Sequence, residues 1–301
     1  MVSAGISFRR QGDVLGVPFQ TLQARHSKRR SGRTCRTNRP DDPGLVAWID
    51  EIKAVHPAWG IRRVRAFIRK HTGLRLGCKR TARIMRERGL LCSRIAKRVH
   101  RASKRRLTAT RMNQLWATDM TSMMLTNGSK LFLVVVLDIF TRRIVGWRLS
   151  FRCRAREWLD ALEQAVMAEF PDGVRNAGLT LRMDNGCQPT STSYQQTLDT
   201  LSITGEWVGF NCPEQNAHVE SVIGTLKQDW LWLEEYDTID EAFAICNRAV
   251  EEYNCDHPHS SLAMLSPAEF TELVKQGRVN VTEQNTIEIL SKSLVNNTNY
   301  Q

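Results

Sequence analysis

The chain has 301 residues, of which 42% are hydrophobic, and 43 Lys and Arg against 31 Asp and Glu give it a formal net charge of +12. Its longest uninterrupted apolar run, Leu131 to Leu137, is seven residues, against the roughly 20 that a membrane helix needs; Met1–Gly5 followed by Arg9 and Arg10 lacks the apolar core of an export signal, so membrane and secreted classes are excluded and a cytoplasmic protein of two or three units is expected. Eight cysteines, at 35, 78, 92, 153, 187, 212, 246 and 255, form no CxxC pair, which predicts free thiols rather than a disulfide framework or a zinc site.

The charge is unevenly spread. Residues 1–111 hold 29 basic and 6 acidic side chains, a balance of +23, whereas residues 112–301 hold 14 and 25, a balance of −11. A basic front joined to an acidic rear implies two jobs, and the natural partner of the front is nucleic acid, because Lys and Arg gain affinity by releasing counterions from phosphates. The front opens with a basic segment, 1–41, holding Lys28, Arg29, Arg30, Arg33, Arg36 and Arg39 and a short fragment of a possible further helical unit at Leu15-Gly16-Val17-Pro18. Helical periodicity follows over 42–100. Leu45, Ile49 and Ile52 make a first stripe that His56-Pro57 ends; Ile61, Val64, Phe67 and Ile68 make a second, interleaved with Arg62, Arg63, Arg65, Arg69 and Lys70. A third helix over Cys78–Arg88 turns Ala82, Ile84 and Met85 inward and Lys79, Arg80, Arg83 and Arg86 mostly outward. Three short helices with basic outer faces are the layout of a helix-turn-helix domain, with Arg62, Arg63, Lys79, Arg80 and Arg83 as candidate DNA contacts. A basic linker over 101–111 closes the front.

In the rear the period changes. Trp116–Met124, Leu131–Phe140 and Arg143–Ser150 read as three strands joined by short turns, an antiparallel meander. A helix over Ala155–Glu169, a strand at Leu179–Asp184, a helix at Ser193–Leu201 and a strand at Glu206–Phe210 follow. Long helices then cover Asn216–Trp232 and Ile239–Asn254, the second opened by the capping box Thr238-x-x-Glu241. The order βββ–α–β–α–β–α–α over a core at 112–272 predicts an α/β layer fold with a mixed sheet. The polar, Asn-rich stretch that completes 273–301 reads as a loose tail.

Three acids stand out by position. Asp119 lies in the first strand on the face opposite Thr118 and Met120. Asp184 ends its strand, pointing with Thr180 and Arg182. Glu220 shares a helix stripe with Asn216, Gly224 and Lys227, about 100° from the apolar stripe of Val219, Val222, Ile223, Leu226 and Trp230. Taken singly, Asp184 is a strand-end turn former and Glu220 an acid on a solvated helix face. The motifs around them carry further. Asn113-Gln114-Leu115-Trp116-Ala117-Thr118-Asp119-Met120-Thr121, then Asp138-Ile139-Phe140-Thr141-Arg142 with Ile144-Val145-Gly146-Trp147, precede Asp184-Asn185-Gly186 with Gln188. Asn216-Ala217-His218-Val219-Glu220 with Leu226-Lys227 follows, and then Tyr253-Asn254, Pro258-His259-Ser260-Ser261-Leu262 and Ser266-Pro267.

This ordered set resembles the integrase-type catalytic core of bacterial insertion-sequence transposases of the second-reading-frame (OrfB) type. It includes the spacing of 35 residues between Asp184 and Glu220. Trp59-Gly60-Ile61-Arg62-Arg63-Val64 and Lys79-Arg80-Thr81-Ala82-Arg83-Ile84-Met85 resemble the family's helix-turn-helix region. Arg182, Pro189, Gln215 and His257 depart from its pattern.

The resemblance implies a ribonuclease-H-like mixed-sheet core behind a small all-α domain, and a reaction in which DNA is nicked at an element end and the freed 3′-hydroxyl is joined to another strand. Asp119, Asp184 and Glu220 would hold magnesium, with manganese as a substitute and two ions expected, since hard oxygen donors suit such cations. Lys227 would meet DNA phosphate. Asn216 and Asp138 would support the carboxylates from behind, the alternative for Asp138 being an acid that closes a buried strand; His218 and His259 sit in no ligand cluster. The implied partners are double-stranded DNA (element ends and target), further copies of the chain in the DNA complex, and a first-reading-frame (OrfA) product or fusion, since no leucine-zipper heptad occurs here. The implied place is the bacterial cytoplasm, at the nucleoid. A tyrosine recombinase does not fit: the lone His-x-x-Arg is His26–Arg29, and the first tyrosine is Tyr194. A non-enzymatic DNA-binding regulator, a ribonuclease-H-like nuclease and an inactive element copy are the alternatives.

Overall fold

Amphipathic periodicity builds the first half. In the structure, a computed structural model, helices α1 (Pro43–Val55), α2 (Ile61–Thr72) and α3 (Cys78–Glu87) fall where the apolar stripes place them. The structure describes residues 42–92, 109–184, 186–209, 216–281 and 287–290. The basic segment 1–41, most of the 101–111 linker, Asn185, Gln215 and the last residues from 291 lie outside the described residues. The chain divides into two compact units, Met1–Trp48 and Ile49–Gln301; α1 begins in the first, and every later element belongs to the second. Val64 and Ile68 of α2 are fully buried. On α3 the inward residues are Thr81, Ile84 and Met85, and Ala82 is only half-buried. Thr81 can turn inward because its hydroxyl donates to the Gly77 carbonyl at 3.2 Å, so no polar group is stranded.

Alternation and β-branched runs build the second half. Strands β1 (Leu115–Met124), β2 (Lys130–Asp138) and β3 (Ile144–Ser150) form the antiparallel meander, and β4 (Thr180–Met183) and β5 (Thr204–Trp207) join it in the order β3-β2-β1-β4-β5. β4 pairs parallel with β1, and β5 parallel with β4. The parallel pairs are made possible by two crossover helices, α4 (Ala155–Glu169) and α5 (Thr192–Leu201). Both pack on one sheet face, against Trp116, Val134, Val136, Leu181 and Met183. Helix α6 (Ala217–Leu226), a π-helical turn at Lys227–Leu231 and α7 (Ile239–Cys255) cover the other face, against Leu115, Ala117, Leu133, Val135 and Leu137. Sheet between two helical layers is the α/β architecture expected, with the mixed sheet of a ribonuclease-H-like core. Gly146 allows the α4 layer to close: a Cβ there would stand 2.3 Å from the Ala161 carbonyl oxygen and 2.8 Å from the Ala165 methyl.

Two expectations need correction. The long helix expected over 216–232 is an α-helix only to Leu226 and then widens into the π turn. The region from 273 is ordered further than its composition implied: α8 (Pro267–Lys275) runs past that point, and β6 (Val279–Val281) pairs antiparallel with β7 (Ile287–Ile289). Val-Asn-Val and Ile-Glu-Ile each carry a two-residue period that an average over the Asn- and Ser-rich surroundings hides. Among the described residues no helix is long and apolar enough to cross a membrane.

Candidate active site

The strand register decides which acids meet. The final parallel pair between β1 and β4 is Ala117 with Arg182; two residues further along each chain stand Asp119 and Asp184. They are therefore abreast, Asp119 in the middle of β1 and Asp184 one residue past β4, and the two-residue period puts both on the face of Ala117, under α6. Opposite Asp119 on β2 is Val135, which faces the same way. Glu220 reaches this face from α6, which packs on β1 through Val219, Val222, Ile223 and Leu226 while its polar stripe stays outside that contact.

Electrostatics describe the same neighbourhood. Burial pushes the Asp119 carboxyl up to about 6; the Met120 amide, which donates to Asp119 Oδ1 at 2.7 Å, works against that rise, while the charges of Asp184 and Glu220 add to it and Lys227 opposes it. Asp119 thus senses two further carboxylates and one lysine. Asp119 and Asp184 are half-buried and Glu220 is exposed. Asp184 Oδ1 accepts from the Gly186 amide at 3.1 Å, the strand-end turn that Asp and Gly favour. Among the described residues no three His, Cys, Asp or Glu side chains form a ready-made metal cage; the acids are neighbours on one face rather than a closed cluster. Lys227, half-buried where α6 passes into the π turn, holds its Nζ 6.0 Å from the Trp232 ring centre.

The remaining candidates divide. Asn216 is buried at the start of α6, where its carbonyl accepts from the Glu220 amide at 3.2 Å; its side-chain Oδ1 has no hydrogen-bond partner among the described residues. Asp138 is not with the acids. It pairs in register with Trp116, three residues from Asp119 along β1, and accepts the amides of Asn113 (3.0 Å) and Phe140 (2.8 Å). Burial raises its carboxyl to about 6 against those bonds, and its geometry is that of an acid closing a buried strand. On the basic helices Arg62, Lys79 and Arg80 are exposed; Arg63 is within 3.8 Å of the Asp229 carboxylate, and Arg83 pairs with Glu87 at 3.4 Å. His218 is half-buried on α6, and His259 is held neutral, its pKa pushed down to about 3 by burial and by Arg63 and Arg142.

Two features escape a reading of the sequence. Arg182, nearly fully buried on the acid face, pairs with Glu206 at 3.1 Å across the β4–β5 register; its parity with Asp184 is visible in the sequence, its partner is not. Trp59, fully buried between α1 and α2, donates its indole N–H to Asp229 at 3.0 Å, 170 residues away, and no local pattern announces a contact of that range.

The family described as "Integrase core domain" matches residues 109–207, and a second family of that description matches 210–267; an "HTH-like domain" family matches 40–111. The chain is thus similar to insertion-sequence transposases with an integrase core. It is 34% identical over 163 residues to the transposase for insertion sequence element IS904 of Lactococcus lactis, an alignment covering 54% of this chain and 62% of that protein, so it spans under two thirds of that relative. It is 27% identical over 245 residues to transposase InsD for insertion element IS2 of Escherichia coli, covering 78% and 80%. Among solved structures it is similar to the simian T-cell lymphotropic virus intasome (TM-score 0.44, 16% identity, 74% and 73% of the two chains) and to the catalytic core domain of BIV integrase (0.41, 17%, 55% and 97%).

Proposed function

We propose that this chain is a divalent-metal-dependent polynucleotidyl transferase that cuts DNA at the ends of an insertion element and joins the freed 3′-hydroxyl to a second strand. The observation that carries the reading is the register that sets Asp119 beside Asp184 on the face Glu220 reaches. The donor set fits magnesium, or manganese in its place: three carboxylates, no thiolate or imidazole among them, with an Asp119 carboxyl raised chiefly by burial and further by the charges of Asp184 and Glu220. Asp119, Asp184 and Glu220 would hold the metal, two ions being expected. Magnesium bound there supplies Lewis acidity, sharpening the attacking hydroxyl and easing departure of the 3′-oxygen.

The protein's own groups do the rest. Lys227, next to the acids, meets the phosphate that flanks the reacting one. Arg62, Lys79 and Arg80 grip the duplex backbone, releasing counterions as they do so. The dense carboxylates of the rear repel phosphate until their charge is met, which confines close approach of DNA to the loaded site. Joining two element ends calls for more than one copy of the chain on the DNA, at the bacterial nucleoid.

Labelled element-end duplexes incubated with purified protein test this. Nicking and strand joining are expected with magnesium and neither with a chelator, and Glu220→Gln should abolish both while sparing duplex binding. Cleavage that survives that substitution would overturn the metal role of Glu220, and hydrolysis without joining would favour a nuclease.

A further inference from the structure

The helix that carries Glu220 and Lys227 does not end freely. After Leu226 it widens into the π turn, closed by the Trp232 amide donating to the Lys227 carbonyl at 2.9 Å, and this turn buries Asp229 beside Trp230 and Leu231. Asp229 is 2% exposed. Its partners come from α2 and the connection that leads into it: the Trp59 indole N–H donates to Oδ2 at 3.0 Å, and the Arg63 guanidinium lies 3.8 Å from the same oxygen. His257 Nδ1 stands 3.6 Å away. Trp59 is itself wedged, stacked on His56 at 3.9 Å between ring centres and 5° between planes, with the buried Lys53 donating to its carbonyl at 3.0 Å.

We propose that Asp229 is a positioning residue: its joint with Trp59 and Arg63 locks the far end of the catalytic helix to the DNA-binding helices and so fixes where Glu220 stands. This rests on the reading of Glu220 given above. Two physical arguments support it. Apolar residues in place of the acid and its partners together would pack this buried spot at less cost, so what the joint adds is a directed bond rather than net stability. Burial indeed pushes the Asp229 carboxyl up, opposed by the Trp59 bond and by Arg63 and Lys53. The second argument is leverage. Glu220 lies nine residues from Asp229, about 13 Å at the helical rise, so a tilt of about 5° at the joint moves it by about 1 Å. A displacement of that size costs up to about 10²-fold in rate.

The test separates position from folding. Asp229→Leu strands the buried Trp59 N–H and should melt below wild type, yet bind element-end duplex as wild type does and, per folded molecule at saturating DNA, cleave at least about 10-fold more slowly. Asp229→Asn keeps an oxygen for the indole N–H and should restore most of the rate. Trp59→Phe should reproduce the Leu defect and add little to it in the double variant, and it carries the test if the Leu variant does not fold. Hydrogen exchange gives a readout without activity: amides of 217–226 should exchange faster in Asp229→Leu while those of β1 do not change. A wild type that never cuts DNA defeats the proposed function alone, and exchange still decides the joint. Unchanged exchange, or a rate that falls only as far as stability falls, overturns the positioning role.

Discussion

Asp119 and Asp229 are both acids taken largely out of water, with carboxyls raised above their ordinary range by burial, yet their surroundings are opposite. Around Asp119 the neighbouring charges are two further carboxylates and one lysine, and the face they share is partly open. Around Asp229 they are Arg63 and Lys53, with an indole N–H bonded to it and solvent shut out. A carboxylate whose charge the protein itself meets can only hold structure together. One whose charge the protein leaves unmet can be completed from outside, which is what the metal role proposed for Asp119 requires.

The sharpest way to break this comparison is to neutralise one acid of each kind. Asp119→Asn should lower cleavage by about 10³-fold or more, since it removes a ligand whose work is worth several kcal/mol at the transition state, and should leave the melting temperature unchanged or higher. Asp138→Asn should do the reverse. Both Asp138 oxygens accept backbone amides, an amide side chain can satisfy only one of them, and the loss should be about 1–3 kcal/mol of stability with catalysis of the surviving fold intact. Equal effects of the two on cleavage rate per folded molecule would erase the distinction.

The sealed region has its own signature in acid. Burial lowers the pKa of His257 to about 2, with Arg63 and the other two imidazoles adding to it, and lowers His259 to about 3 and His56 to about 4. All three are neutral in the fold but protonate near 6.5 when unfolded, so the unfolded chain binds more protons below that pH. Stability is therefore complete above about 6.5 and falls as the pH drops below it, by about 2 kcal/mol per histidine at pH 5 and less than three times that for a shared environment. Thermal melts at pH 7.5 and 5 check the slope. His257→Phe keeps an aromatic ring against Tyr253, on which His257 stacks at 5.4 Å, and should flatten it; an unchanged slope would show that the histidines protonate without strain.

Local periodicity made the helices and strands legible, since stripes such as Val64 with Ile68, or Leu133 with Val135, need only their own neighbours to be read. It gave the side of each acid within its own strand, Asp119 opposite Thr118 and Met120 and Asp184 with Thr180 and Arg182, because strand period 2 survives any arrangement of the sheet. Their adjacency was another matter: it depends on β1 pairing parallel with β4, a long-range fact for which the resemblance, not the pattern, spoke. The π turn was hidden because an extra residue per turn leaves the composition of 227–231 unchanged. The Trp59–Asp229 joint was hidden because each half reads as an ordinary core residue or a solvated acid until the two are seen together. Where an averaged property was used, as for the tail, the short alternation of Val279 to Val281 disappeared into it.

The smallest expected effect sharpens the same contrast within two adjacent residues. Arg62 is exposed on α2, whereas Arg63 points toward Asp229. If charge met inside the protein is structural and charge left outside is for a ligand, the two arginines should differ in what they give to DNA binding. Removing one phosphate contact flattens the dependence of log affinity on log salt by about 0.9. Arg62→Gln, and likewise Lys79→Gln, should weaken duplex binding evenly across sequences and reduce that slope by about one. Arg63→Gln should leave the slope nearly unchanged and act instead on the joint, slowing cleavage at saturating DNA. Titrations of one duplex at several salt concentrations decide it, and equal slope changes for Arg62 and Arg63 would place both on the DNA.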